Sequence, residues 1–136
     1  MEANLDIGFT GTRRGMSDAQ NLKLWSLLDR PRRRTFHHGD CIGADSEAHD
    51  IAVAYGYRIH IHPPIDAKHR AGRLANKDSE PLEYLARDRA IVDSVSLLIA
   101  MPAGPETRRS GTWATVRYAR ERAVELVVIM PDGSVL

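Results

Sequence analysis

Short apolar runs alternate with longer amphipathic stretches along this sequence, and that alternation is the signature of βαβ units closing on a parallel sheet. The first run, Leu5 to Thr10, gives a strand. Beyond the loop GTRRGM, Ser17-Asp18-Ala19-Gln20 reads as a capping box, and Leu22, Trp25, Leu27 and Leu28 supply an apolar helical face. A second strand near Arg34 to His38 leads through HGDCIGAD into a helix carrying Ala48, Ile51, Ala52 and Tyr55, and Gly56 stands where a left-handed C-cap would end it. Arg58 to His62 gives a third strand, stopped by Pro63-Pro64. From there to about Ser79 the chain is polar, basic and aperiodic, which reads as a long loop, either functional or disordered. A helix over about Glu80 to Asp93, a very apolar strand Val95 to Met101, a helix Ser110 to Arg122 and a last strand Leu126 to Met130 complete the series.

This element order predicts an α/β fold: a three-layer, Rossmann-like open parallel sheet of about five strands in the order 3-2-1-4-5, with helices on both faces. A length of 136 residues with 43% apolar composition supports one domain, residues 1–136. The strand order reverses once, between strands one and four, so a crevice opens at their carboxyl ends. GTRRGM, HGDCIGAD and PAGPETRRSGT therefore converge there on topology alone.

Composition narrows the chemistry. A formal net charge of +1 speaks against wholesale coating of a polyanion, so nucleic acid is a possible partner but not the favoured one. One cysteine, Cys41, can staple nothing internally and suits a reducing, cytoplasmic setting. No stretch reaches the length of a membrane span. Metal ligation finds little support. His37 and His38 are strand neighbours facing opposite sides, and His60 and His62 share a face without a suitably spaced carboxylate. No metal and no cofactor is expected.

The converging loops suit a phosphate, which needs approachable backbone N–H groups, a positive field and no bulk in the way. Gly11, Thr12, Arg13 and Arg14 offer this after the first strand. Gly39, Asp40, Gly43, Ala44 and Asp45 surround the start of the second helix, and Arg108, Arg109, Ser110, Gly111 and Thr112 open the last one. Asp45 is either a helix cap or a partner for a ribose or a loop arginine. Asp88 is either a carboxylate at the crevice or the ion-pair partner of an arginine on its own helix. Pro102, Arg87 and Trp113 are candidate contacts to a base or ribose, although Trp113 could equally pack against a neighbouring loop. Lys68, His69, Arg70 and Arg73 could close over an anion or stay solvated.

Taken in order, GFTGTRRGMS, HHGDCIGADSEAHDIA, RDRAIVDSVSLLIAMP and SGTWATVRYARE resemble the SLOG superfamily, the Rossmann-like group of the DprA/Smf DNA-processing proteins, YspA-like proteins and LOG phosphoribohydrolases. The resemblance runs from about Leu5 to Met130. It implies a nucleotide or nucleotide-derived, ADP-ribose-like ligand at the crevice, and a homodimer or homotetramer. In the LOG pattern PGGxGTxxE the glutamate takes part in cleaving an N-glycosidic bond, and Thr115 stands at that place here. A hydroxyl cannot stabilise an oxocarbenium ion as a carboxylate does, so the expectation is a sensor or sequestering protein. The alternatives are a nucleotide N-glycosidase using Asp88, Asp40 or Asp45, and a DprA-like DNA-binding protein.

Overall fold

The computed structural model describes residues 4–136. Along the chain run β1 (Ile7–Gly11), α1 (Asp18–Leu28), β2 (Thr35–His38), α2 (Ala44–Ala54), β3 (Arg58–Ile61), a 3-10 turn (Ala67–His69), β4 (Lys77–Asp78), α3 (Tyr84–Ser94), β5 (Leu97–Met101), α4 (Gly111–Glu121) and β6 (Glu125–Val128). The strands form one parallel sheet in the order β4-β3-β2-β1-β5-β6.

The expected order of five strands is thus kept, with one correction: a sixth strand, β4, lies at the edge inside the stretch read as loop. Two residues cannot display a period of two, so this strand has no sequence signal. It is fixed instead by pairing with His60 and Ile61, and by the Asn76 side chain accepting from the Ile59 amide (2.7 Å). Helix α3 also starts later than expected. The backbone of Leu82 is already engaged, donating to Pro63 (3.2 Å) and accepting from Ile65 (3.2 Å), so residues before Glu83 cannot enter the helix.

Alternate strand residues face opposite layers. Phe9, Phe36, Ile59 and Ile61 meet Leu24 and Leu28 of α1 and Ala48, Ile51 and Ala52 of α2, all buried. Each such leucine contributes about 1.5–3 kcal/mol by leaving water. On the other face, Leu98 packs on Ile91, Val92 and Ala119, and Ala100 and Val128 pack on Trp113 and Val116, all from α3 and α4.

The expected caps are present. Ser17 accepts from the Gln20 amide (3.1 Å) while the Gln20 side chain accepts from the Ser17 amide (3.0 Å). The same buried Gln20 side chain donates to the carbonyls of Pro102 (2.9 Å) and Ile129 (2.8 Å), tying α1 to the carboxyl ends of β5 and β6. Gly56 has the left-handed φ of +84° expected of it.

Candidate functional site

The three loops do converge. At the carboxyl end of β1, the Thr12 amide donates to Met101 of β5 (3.1 Å) and its carbonyl accepts from Ala44, the first residue of α2 (3.0 Å). Gly43, at φ +97°, lets the second loop lie on the first, because a Cβ there would overlap the Arg13 backbone. Between the loops and α3 lies a crevice of about 560 Å³, within the ordinary size of a small-molecule site.

Of the expected residues, Gly11, Thr12 and Arg13 line this crevice from the first loop, and Gly39 and Asp45 from the second. Arg108, Arg109, Ser110, Gly111 and Thr112 line it from the third, and Arg87 and Asp88 from α3. The remainder do not line it. Gly43 and Ala44 lie behind the loops, and Arg14 is exposed outside them.

Asp40 is fully buried and turned away from the crevice. Its carboxylate accepts from Arg70 Nε (3.2 Å) and from the amides of Gly72 (3.2 Å) and Arg73 (2.9 Å). Those contacts make it an anchor of the 66–73 loop, which removes it as a catalytic candidate. The loop arginines are held by the same contacts: Arg73 also pairs with Asp50 and Ser46.

Pro102 is a correction as well, and Trp113 takes the packing role of its two readings. Trp113 is only 2% exposed, and its indole N–H donates to the Gly104 carbonyl (3.0 Å), so it braces the third loop and offers no face to a base. Pro102 is buried with its carbonyl taken by Gln20. An apolar residue beside a site motif is as often the packing behind it as the wall in front.

Electrostatically the crevice mixes four arginines (Arg13, Arg87, Arg108, Arg109) with two carboxylates (Asp45, Asp88). Asp45 Oδ2 accepts from the amides of Gly39 (3.0 Å) and Cys41 (3.3 Å), so it closes its own loop rather than capping α2. Burial pushes its carboxyl up to about 6, against the opposing pull of Arg87. Burial likewise raises Asp88, whose Oδ1 lies 2.9 Å from Arg87 Nε. That contact is an ion pair without hydrogen-bond alignment, since Arg87 Nε has no aligned acceptor among the described residues. Asp88 thereby fits both sequence readings, a partner of the arginine on its own helix and a carboxylate facing the crevice. It also faces the hydroxyl of Thr115, which donates to the Gly111 carbonyl (2.9 Å).

Sequence reasoning missed Tyr84. Its ring lies between the guanidinium groups of Arg13 (4.9 Å) and Arg87 (5.1 Å), and its buried hydroxyl has no hydrogen-bond partner among the described residues. Nothing in the sequence marks it, because its neighbours come from other loops.

Two helix N-termini reach the crevice, and they differ. At α2 the acids are already in place: Asp45 binds two loop amides, and Glu47 accepts from Met16 (2.6 Å). At α4 the first turn, Gly111-Thr112-Trp113, carries no acid. Ser110 caps only the Trp113 amide (3.2 Å), leaving the N–H groups of Gly111 and Thr112 without intrahelical acceptors.

Five of the six histidines form two separate groups, on opposite faces as strand alternation requires. Fully buried His38 meets His49 Nδ1 (3.1 Å) and accepts from the Asp40 amide (2.9 Å), which is polar packing at the strand end. His37, His60 and His62 cluster on the other face. Burial and mutual repulsion lower His60 to about 4 and His62 to about 3, and burial also lowers His37 against the pull of Asp6.

No helix of the described residues is long and apolar enough to cross a membrane. No family model matches the sequence, and no curated protein matches it. Solved structures do. The molybdenum cofactor binding protein of the phototrophic bacterium Rippkaea orientalis superimposes with a TM-score of 0.73 at 16% identity, over 96% of this chain and 78% of that one. DNA processing protein A of Helicobacter pylori, a single-stranded DNA binder, gives 0.63 at 17% over 92% of this chain and 65% of that one. DprA of Streptococcus pneumoniae gives 0.66 at 18% over 92% of this chain and only 50% of its own length. The chain shares the fold of these proteins, the open parallel α/β sheet expected for it.

Proposed function

We propose that this chain binds a phosphorylated nucleoside, or an ADP-ribose-like derivative of one, in the crevice between its three loops. The observation that carries the reading is the acid-free first turn of α4, with the N–H groups of Gly111 and Thr112 uncapped. Its two N–H groups lie in a glycine-containing turn beside Arg108 and Arg109, whereas the first turn of α2 already carries two carboxylates, Asp45 and Glu47, whose charge would repel an anion. An anion is stabilised at such a helix start by the N–H groups and the helix dipole together. Arg87 and Asp88 then face the sugar. The biological role fitting such a site is sensing or sequestering the nucleotide. A homodimer or homotetramer belongs to the same reading and is checked by analytical ultracentrifugation.

Thermal-shift screening against nucleoside monophosphates, cyclic nucleotides, NAD and ADP-ribose derivatives tests it. A ligand at about 100 times its Kd adds about 2.7 kcal/mol of stability. Failure of every phosphorylated nucleoside to stabilise the chain would overturn the reading.

Asp88 favours a second reading, hydrolysis of the N-glycosidic bond. Thr115 takes the glutamate place of the LOG pattern, yet a carboxylate from the neighbouring helix, Asp88, still lines the crevice. A carboxylate there could stabilise positive charge developing on the sugar. Chromatography of the stabilising ligand separates the readings: intact ligand supports the sensor, while free base that disappears in Asp88→Asn supports the hydrolase.

A further inference from the structure

Three histidines meet on the sheet face opposite the α1/α2 core. In the β2–β3 register His37 pairs with His60, and His62 follows two residues on, so all three side chains project from one face. Gly8 is the register partner of His37, and the space above it is filled by Ile91 and Val95, which identifies this as the α3 side. The rings stack closely, with centroids 4.6 Å (His37–His60), 5.1 Å (His37–His62) and 4.1 Å (His60–His62) apart. One ring nitrogen of each lies within 4.8 Å of the others.

We propose that His37, His60 and His62 bind one divalent transition-metal ion, zinc in the first instance. Imidazole nitrogens are ligands for zinc at about 2.0–2.1 Å in tetrahedral geometry, which puts neighbouring ligand atoms about 3.3 Å apart. His37 Nδ1 and His62 Nε2 already stand 2.9 Å apart. No separation in the trio exceeds 4.8 Å, so at most about 1.5 Å must close, within reach of a rotation of the half-buried His60 ring.

The surroundings are those of a ligand set. Asp6 Oδ2 accepts from His37 Nε2 (2.9 Å), which fixes the tautomer and leaves Nδ1 with its lone pair toward His62. Ser79 Oγ stands 2.6 Å from His60 Nε2 and orients that ring. A carboxylate behind one ligating histidine is the arrangement that raises ligand basicity in metal sites. When the ion binds, the His62 Nε2 proton that bridges to His37 moves to Nδ1 of the same ring, so both facing nitrogens become donors to the metal without net change in charge on the protein. Asp6 and Asp78 add negative charge around the trio, while Lys77 and Arg87 oppose it. Three neutral ligands leave a fourth position for water or an exogenous anion.

This inference stands apart from the nucleotide crevice, which these histidines do not line. It is tested with the full chain purified without a histidine tag, titrated with zinc against a chromophoric chelator and with cobalt by visible absorption. One equivalent per chain is expected, with affinity reduced at least tenfold in His60→Ala and in His62→Gln. The outer carboxylate variant Asp6→Asn is expected to lose about 10–100-fold. Cys41→Ser and His49→Gln, on other parts of the molecule, are expected to bind as the parent does. His60 is half-exposed, so His60→Ala decides the matter if a more buried variant unfolds. Substoichiometric binding, or affinity unchanged in His60→Ala, would overturn the proposal.

Discussion

The guanidinium of Arg87, on α3, occupies the space where position 39, at the end of β2, would carry a side chain. Nη1 donates to the Gly39 carbonyl (3.1 Å) and lies 3.2 Å from the Cys41 sulfur. A Cβ at Gly39 would overlap that guanidinium and press on Asp45. Gly39→Ala is therefore expected to cost about 1–3 kcal/mol of stability through overpacking. It is also expected to weaken nucleotide binding, because Arg87 must leave the crevice wall. Chemical denaturation and calorimetric titration read the two effects. A variant as stable as the parent would mean that Arg87 is not held where this contact places it.

Gly111 is the complementary case. A Cβ there meets no atom within 4 Å, so Gly111→Ala is expected to leave stability within about 0.5 kcal/mol or raise it by up to about 1 kcal/mol. The added methyl nevertheless projects from the first turn of α4, where the proposed phosphate sits. Affinity for a nucleoside phosphate is expected to fall about tenfold. Undiminished affinity in a normally folded variant would move the phosphate away from α4.

What the sequence made legible followed from periodicity and topology. The strands β1 to β3, β5 and β6, the capping box at Ser17 and the convergence of three loops all rest on repeated local signals that tertiary packing reinforces. The parts that escaped were set by contacts between distant segments. Asp40 looked like a site carboxylate because it lies in a glycine-flanked loop, but its acceptors are filled from residues 70–73. Trp113 follows a glycine turn and yet points inward, because the indole N–H finds the Gly104 carbonyl. Tyr84 is placed by helix packing, and strand register brings His37 to the His60–His62 pair, whose shared face was the only part of that cluster the spacing announced. His37 and His38 face opposite sides of the sheet, and only pairing across strands brings His37 to His60 and His62.

Asp45 should make ligand binding depend on pH. Its carboxyl, raised to about 6 by burial, is mostly ionised at pH 7 and mostly protonated at pH 5. A bound anion nearby raises that value further, so nucleotide binding takes up a proton and affinity is expected to rise as pH falls through 6. The ligand phosphate titrates in the same range, and the comparison with Asp45→Asn isolates the protein's share. In that variant the amide oxygen can still accept from Gly39 and Cys41, while the titrating charge is gone. Titrations at pH 5 and 7 are expected to show a smaller pH effect in Asp45→Asn than in the parent. Parallel profiles would place the anion too far from Asp45 to sense it.

Acid should weaken the metal-free fold through its histidines. The folded-state values of His60 (about 4) and His62 (about 3) lie below the ordinary 6.5, and His37, His38 and His49 are also lowered, burial being the largest cause for all five. The unfolded chain therefore binds more protons below pH 6.5, so this contribution to stability is present above 6.5 and lost as pH falls toward 3. Asp45 and Asp88 act in the opposite sense: their raised values contribute stability that is present at low pH and lost as pH rises, through about 6 for Asp45. The five histidines outnumber these two carboxyls, and His62 alone loses about 2 kcal/mol between pH 6.5 and 5 at 1.36 kcal/mol per unit. Denaturant unfolding in chelator-containing buffer is expected to give a lower midpoint at pH 5 than at pH 7. The drop should shrink in His62→Gln, whose side chain does not titrate. A midpoint that rises on acidification would mean that the carboxyls govern the balance and that the histidine cluster is already charged in the folded state.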